Sequence, residues 1–317
     1  MSQLQLQVGV KTDPIEYRYS YEWLFRLMAE EGIHHAQLGS FFELYQLPDE
    51  FFIDLRRLAE RYQVTISSVF SAHRELGGLL RFEHPAWAAV TRRNYERLIE
   101  IGALLGARSV GSNLGAVMRD QLKFKTEGLR RYLNQMKAWL AYAHLKGVPV
   151  LTIEPMSCLA EPPTLPDEIR TVAEELLAYH QQHPHQTAWF GYCVDVAHGY
   201  ADQAGQVQWD NLQLLAAALP YMEHLHLKNT DQIFNSTFGF TAAERAKGII
   251  QIEPIRDLLL AQAELIPVTE LVGYLEISGP KTGRDYSDYQ LEELLRGSLR
   301  YLRENFCVDL PRQVETG

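Results

Sequence analysis

VPVLTIEP, residues 148–155, is a short apolar run rich in β-branched residues, with an acid at its end and a proline after it. Six apolar or β-branched residues are too few for a helix, and no polar residue alternates with them. The pattern suits a strand covered on both faces, as in a parallel sheet. Longer helical patterns flank it, Arg119 to Leu145 before and Pro166 to His180 after. The stretch is therefore the strand of a βα unit.

The same alternation extends in both directions. Towards the N-terminus the strand expectations are Leu6–Val10, His35–Leu38, Val64–Phe70 and Ser109–Val110. Their helices are Tyr21–Glu31, Asp49–Tyr62, Pro85–Leu105 and the Arg119 segment. Towards the C-terminus the strands are Trp189–Val194, His224–Leu227 and Leu271–Ile277, with helices Asp210–Ala218, Ile252–Ala263 and Leu291–Phe306. Eight strands, each followed by a helix, let a parallel sheet close with no exposed edge, so the expected fold is a (β/α)8 TIM barrel. An open doubly wound sheet is the competing arrangement. It usually brings a glycine-rich first turn, and here the first strand runs into Lys11-Thr12-Asp13-Pro14. Residues 1–309 are read as one barrel domain and 310–317 as a frayed tail.

Bulk composition agrees: of 317 residues, 46% are hydrophobic and 22% charged, ordinary values for a globular chain. A net charge of −10 argues against nucleic acid as a partner. The basic stretch Lys123–Arg131 reads as a solvated helix face. Three cysteines at no ligand-like spacing argue against a disulfide framework or a zinc knuckle. No apolar run is long enough for a membrane span, and the opening MSQLQLQVGVKTD carries no secretion signal, so the cytoplasm is expected. Self-association is possible through apolar helices such as residues 211–218.

In a barrel, chemistry gathers where the strands end, and residues of one parity point inward. A carboxylate at the last inward position of a buried strand is costly unless it is paired or metal-bound. Glu154, Asp195 and Glu276 hold that position on strands five, six and eight. His226 and Lys228 share one parity on strand seven, with His224 a layer deeper. His224 is read as a satisfied core histidine. One such acid alone is more often half of an ion pair, but four residues on consecutive strands form a set. Oxygen ligands with one nitrogen suit Mn²⁺ or Mg²⁺ first, with Co²⁺, Fe²⁺ or Zn²⁺ as possible occupants. Around the set, His198, His73, Lys228, Arg284 and Glu43 are candidate substrate contacts. The bland alternatives are a polar cap for His73 and ion pairs with Asp285 or Asp288 for Arg284.

IEP at Glu154, DxxH at Asp195 and His198, HLHLKN at His226 and LEISGP at Glu276 occur in an order that resembles the xylose isomerase-like TIM-barrel superfamily. That superfamily includes sugar isomerases and epimerases, inosose dehydratases and apurinic endonucleases. In site composition the chain most resembles the ketose 3-epimerases. The resemblance implies metal ligation by Glu154, Asp195, His226 and Glu276. It makes Glu154 and Glu276 the acid/base pair as well, with His198 on a substrate oxygen. It further implies removal of a proton α to a metal-bound carbonyl of a keto-sugar or related polyol, through an enediolate. The alternatives are an inosose-like keto-polyol dehydratase, a non-catalytic sugar-binding or scaffold barrel, and a metallo-endonuclease. The last is disfavoured because GSNLGAV after strand four and the loop after strand seven lack the histidines of a trinuclear zinc site. Two further departures are Asn229, where the family often has Asp, and the missing arginine shortly after His226.

Overall fold

A computed structural model describes residues 4–71 and 76–307. The barrel strands are β1 (Gln5–Lys11), β2 (His35–Leu38), β3 (Thr65–Ser71), β4 (Ser109–Ser112), β5 (Val150–Ile153), β6 (Trp189–Asp195), β7 (Met222–Leu227) and β8 (Glu270–Leu275). All pair in parallel with their neighbours in sequence, and β1 pairs with β8 from Gln5↔Glu270 to Val10↔Leu275, closing the barrel. The surrounding helices are α1 (Tyr21–Glu30), α2 (Asp49–Arg61), α3 (Ala86–Leu105), α4 (Lys125–Lys146), α5 (Pro166–Gln182), α6 (Asn211–Ala218), α7 (Ile252–Ala261) and α8 (Gln290–Asn305). The protein is a closed (β/α)8 barrel.

Local chemistry explains several boundaries. Ser20 caps α1 by accepting from the Trp23 N–H, and Asp210 forms a capping box with Gln213 at α6. Gly106 and Gly147 end α3 and α4 at φ of 68° and 79°, where a side chain would be strained. The outer faces of the strands pack on the helices through residues such as Val8, Val10, Val69, Leu151 and Leu225, all buried. On α6 the apolar residues Leu214, Leu215 and Ala218 are buried within this core.

Three features depart from the expected elements. The segment before α4 is a 3₁₀ turn, Arg119–Phe124, with non-helical backbone at Gln121. The loop after β6 forms a small antiparallel hairpin, Tyr200–Ala201 with Val207–Trp209. The long loop after β7 contains a short helix, Ala242–Lys247, opened by a Thr241–Glu244 capping box. Each of these is too short to show a period in the sequence.

The barrel interior is unusually polar for a packed core. Gln37 on β2 is fully buried, as are His226 on β7 and Thr152 on β5, while His224 and Glu154 are nearly so. The Tyr274 ring crosses the lower barrel and donates to or accepts from Ser67 Oγ at 2.8 Å. A side chain at position 9 would sit 2.6 Å from that ring, which is why β1 carries glycine there. At the end away from the strand C-termini, a cavity of about 380 Å³ is lined by Arg108, Glu223, His224 and Tyr274 among others. It lies on the opposite side of the barrel core from the acidic cluster described next.

Candidate metal centre

At the C-terminal rim, Glu154, Asp195, His226 and Glu276 each present one ligand-type atom, and these atoms all lie within 4.8 Å of one another. The strands dictate the convergence. Glu154 directly follows β5 and Glu276 directly follows β8, while Asp195 ends β6 and pairs in register with His226 on β7. His226 Nδ1 is 2.9 Å from Glu154 Oε1 and 3.4 Å from Glu276 Oε2. Its Nε2 is 2.8 Å from Gln37 Oε1, and Phe70 meets the ring edge-on at a centroid distance of 4.9 Å.

Two lysines complete the charge balance. Lys228 forms an ion pair with Asp195 and lies 3.2 Å from Glu276 Oε2 and 3.4 Å from His198 Nε2. Lys11, at the end of β1, pairs with Glu276 and lies 3.5 Å from Asp13 Oδ2. Burial would lower both ammonium pKa values, but Asp13, Glu276 and Glu154 around Lys11, and Asp195, Glu276 and Glu154 around Lys228, raise them above the ordinary range. Both lysines stay charged.

The carboxylates respond in kind. Burial works to raise the pKa of Glu154, and His226 beside it outweighs that effect, so the group is held below its ordinary value. Glu276 is pushed down further, because His226, Lys11 and Lys228 together overcome its burial. For His226 burial lowers and the two glutamates raise, with a net rise. Asp195 Oδ1 accepts from the Ala197 N–H at 2.8 Å, while its buried Oδ2 is engaged by the Lys228 ammonium and lies 3.4 Å from His198 Nε2. Three carboxylates and one imidazole converging on a common centre fit a hard or borderline divalent cation.

The outer candidates divide. His198 joins the cluster: its Nδ1–H donates to the Pro155 carbonyl at 2.7 Å, leaving Nε2 towards Lys228 and, at 3.4 Å, Asp195. Lys228 joins it as described. Glu43 is exposed in the loop after β2, accepting from the Tyr17 hydroxyl at 3.2 Å. Arg284 is exposed in the loop after β8 and donates to the Gly283 carbonyl; Asp288 pairs instead with Arg18, at 3.2 Å. His73 lies outside the described residues, as does the 310–317 tail. His224 is buried, with Gln37 at 3.4 Å and Ser109 at 3.5 Å, as a core histidine should be. Asn229 is fully buried, and its Oδ1 accepts from the N–H groups of Thr230 and Ile250, both at 2.9 Å. Its side chain thus folds the loop after β7 back on itself.

Lys11 and Gln37 escaped the sequence reading. Lys11 ends an apolar strand in the same way as Glu154, so the same burial test identifies it. Gln37 shares the four-residue strand HAQL with His35, and so short a strand, preceded by a second histidine, hides the inward parity.

A closed parallel barrel with a three-carboxylate, one-imidazole cluster at its C-terminal rim defines a class of protein, the TIM barrel carrying a candidate metal centre at the strand ends. Within that class, the profile of the xylose isomerase-like TIM barrel family matches residues 25–266, and the chain belongs to that family. Three solved structures share the fold at low sequence identity. A Rhodospirillum rubrum protein provisionally named a xylose isomerase is 15% identical, with a TM-score of 0.75 over 94% of this chain and 99% of its own. The D-psicose 3-epimerase of Clostridium cellulolyticum H10, solved with D-tagatose, is 14% identical, with a TM-score of 0.70 over 95% of this chain and 100% of its own. The 3-keto-D-glucoside 4-epimerase of E. coli is 12% identical, with a TM-score of 0.62 over 95% and 100%. No curated protein sequence is similar enough to count as a match. Among the described residues no helix is long and apolar enough to cross a membrane.

Proposed function

We propose that the protein is a divalent-metal-dependent isomerase or epimerase of a keto-sugar or related polyol. The observation that carries this reading is the convergence of Glu154, Asp195, His226 and Glu276 within 4.8 Å. In it Glu154, Asp195, His226 and Glu276 hold one ion, with Mn²⁺ or Mg²⁺ preferred for the oxygen-rich set. The ion supplies Lewis acidity that stabilises negative charge on a substrate oxygen.

The chain's own groups do the rest. One glutamate takes the proton α to the carbonyl. Glu154 is the better candidate base of the two, because the ammonium groups of Lys11 and Lys228 both engage Glu276. For an epimerisation Glu276 would return a proton at the other face, drawing it from the Lys11 or Lys228 ammonium beside it. Lys228 Nζ and His198 Nε2 sit together on the open side of Asp195 and offer a donor and an acceptor for substrate hydroxyl groups. The His198–Lys228 pair also favours one second reading. A proton delivered from it to a departing β-hydroxyl makes the reaction a dehydration. The three cysteines are free, in keeping with a cytoplasmic protein.

The experiment is metal analysis of purified protein, followed by incubation with keto-sugars and keto-polyols in D₂O. A substrate that acquires deuterium at the α-carbon supports the proposal, and product mass separates isomerisation from loss of water. A metal-replete protein that turns over a keto-sugar with no such exchange overturns the α-proton chemistry.

A further inference from the structure

We infer that Gln37 is a positioning residue that locks the His226 ring with Nδ1 turned towards the shared centre of the carboxylates. The inference rests on the metal-centre reading and concerns a residue outside the four candidate ligands.

Gln37 is fully buried at the end of β2, on the far side of His226 from the carboxylates. Both ends of its amide are engaged. Oε1 lies 2.8 Å from His226 Nε2, while Nε2 donates to Ser68 Oγ at 3.0 Å and faces His224 Nε2 at 3.4 Å. In this orientation the hydrogen bonds run in one direction. His226 Nε2–H donates to Gln37, the Gln37 amide donates to Ser68 and His224, and His224 Nδ1–H points at Ser109 Oγ, 3.5 Å away. An amide oxygen can only accept, so a proton must reside on His226 Nε2. The nitrogen left to give its lone pair to an ion, once its own proton has gone, is then Nδ1, which faces Glu154 and Glu276.

The ring has little freedom to escape this arrangement. Phe70 holds it edge-on on one side, and His224 below is itself held edge-on by Tyr274 at 5.5 Å. A hydrogen bond to the non-ligating nitrogen fixes tautomer and orientation and increases the basicity of the ligating one; losing such a partner typically weakens metal affinity about 10–100-fold. Gln37 thus acts on the ion through His226 without touching it.

The test is Co²⁺ binding to chelator-stripped protein, followed by calorimetry and by the visible absorption of the bound ion, for wild type, Gln37→Met and Gln37→Glu. Methionine matches the glutamine in length and removes the acceptor; glutamate keeps the acceptor and loses the donor. The expected result is Co²⁺ affinity about 10–100-fold weaker in Gln37→Met with an altered absorption band, and affinity within about 3-fold of wild type in Gln37→Glu. Thermal unfolding in chelator identifies any variant that fails to fold. If Gln37→Met binds Co²⁺ as tightly as wild type, the inference is overturned. A folded Gln37→Glu that loses affinity as Gln37→Met does overturns it too, and this arm decides the matter should Gln37→Met not fold. Failure of the wild-type protein to bind Co²⁺ would instead remove the metal-centre reading itself.

Discussion

Replacing Lys228 with methionine tests how the carboxylate cluster is held together when no cation is available. In chelator, Lys228 is the ion-pair partner of Asp195, whose side chain is fully buried, and it is itself only 13% exposed. Its removal leaves Asp195 with His198 Nε2 at 3.4 Å as the remaining basic neighbour recorded for it. Breaking a buried pair by deleting one partner costs about 3–5 kcal/mol, because the surviving charge keeps its desolvation penalty. At about 2–4 °C per kcal/mol for a large domain, the Lys228→Met protein should melt roughly 6–20 °C below wild type in chelator. Adding Mn²⁺ should recover more stability in the variant than in wild type, because a bound cation replaces the deleted charge. Calorimetry or circular dichroism at fixed protein concentration reads both quantities. Equal melting of the two proteins in chelator at neutral pH would refute the view that Lys228 neutralises the cluster.

Three further outcomes follow from the same geometry. Chelation of the wild-type protein should leave its far-ultraviolet circular dichroism unchanged, because Lys11 and Lys228 already offset two of the three negative charges; loss of helix signal would count against this. Glu154→Gln and Glu276→Gln should each lower turnover of an identified substrate by about 10²-fold or more, measured as initial rates with metal in excess. The metal-free protein should also show a stability window in pH. Glu154 and Glu276 have folded pKa values below their ordinary 4.5, so their contribution is present above pH 4.5 and disappears as pH falls through the depressed values. His226 is raised above 6.5, so its contribution is complete below that pH and disappears as pH rises through the raised value. The joint contribution of these groups, read as the melting-temperature loss on Glu154→Gln substitution in chelator, should therefore be greatest between pH 4.5 and 6.5, and a loss that keeps growing to pH 8 would contradict the assigned contacts.

The barrel was legible because its signal is repeated eight times. Most strands are short runs rich in apolar residues, and most helices are long enough to show their own period, so an error at one boundary does not disturb the count. The four rim residues were legible for a related reason: an ionisable side chain at the end of a buried strand needs a partner. That rule speaks of partners without saying which, and Lys11 shows the consequence. The charge on Glu276 is met from β1, at the far end of the sequence, and nothing near residue 276 announces it. Arg284 and Glu43 show the opposite difficulty. Loop residues share no parity with the strands, and the structure leaves both side chains at the surface. The short helix after β7 and the hairpin after β6 were illegible because tertiary contacts and caps, not periodicity, define them.

The β1–β8 seam has a consequence for how the protein is made. Lys11 and Glu276 are separated by 265 residues, and α8 fastens the same seam from outside through Arg296 and Arg300 on Glu31. During synthesis β1 leaves the ribosome early and waits, with one edge unpaired, for a strand that emerges last. Until then Glu154 and Asp195 have no Glu276 beside them and the ring of charges is incomplete. A chain interrupted before β8 would thus lack Glu276 and would carry two open sheet edges into solution, the condition under which nascent sheets find each other.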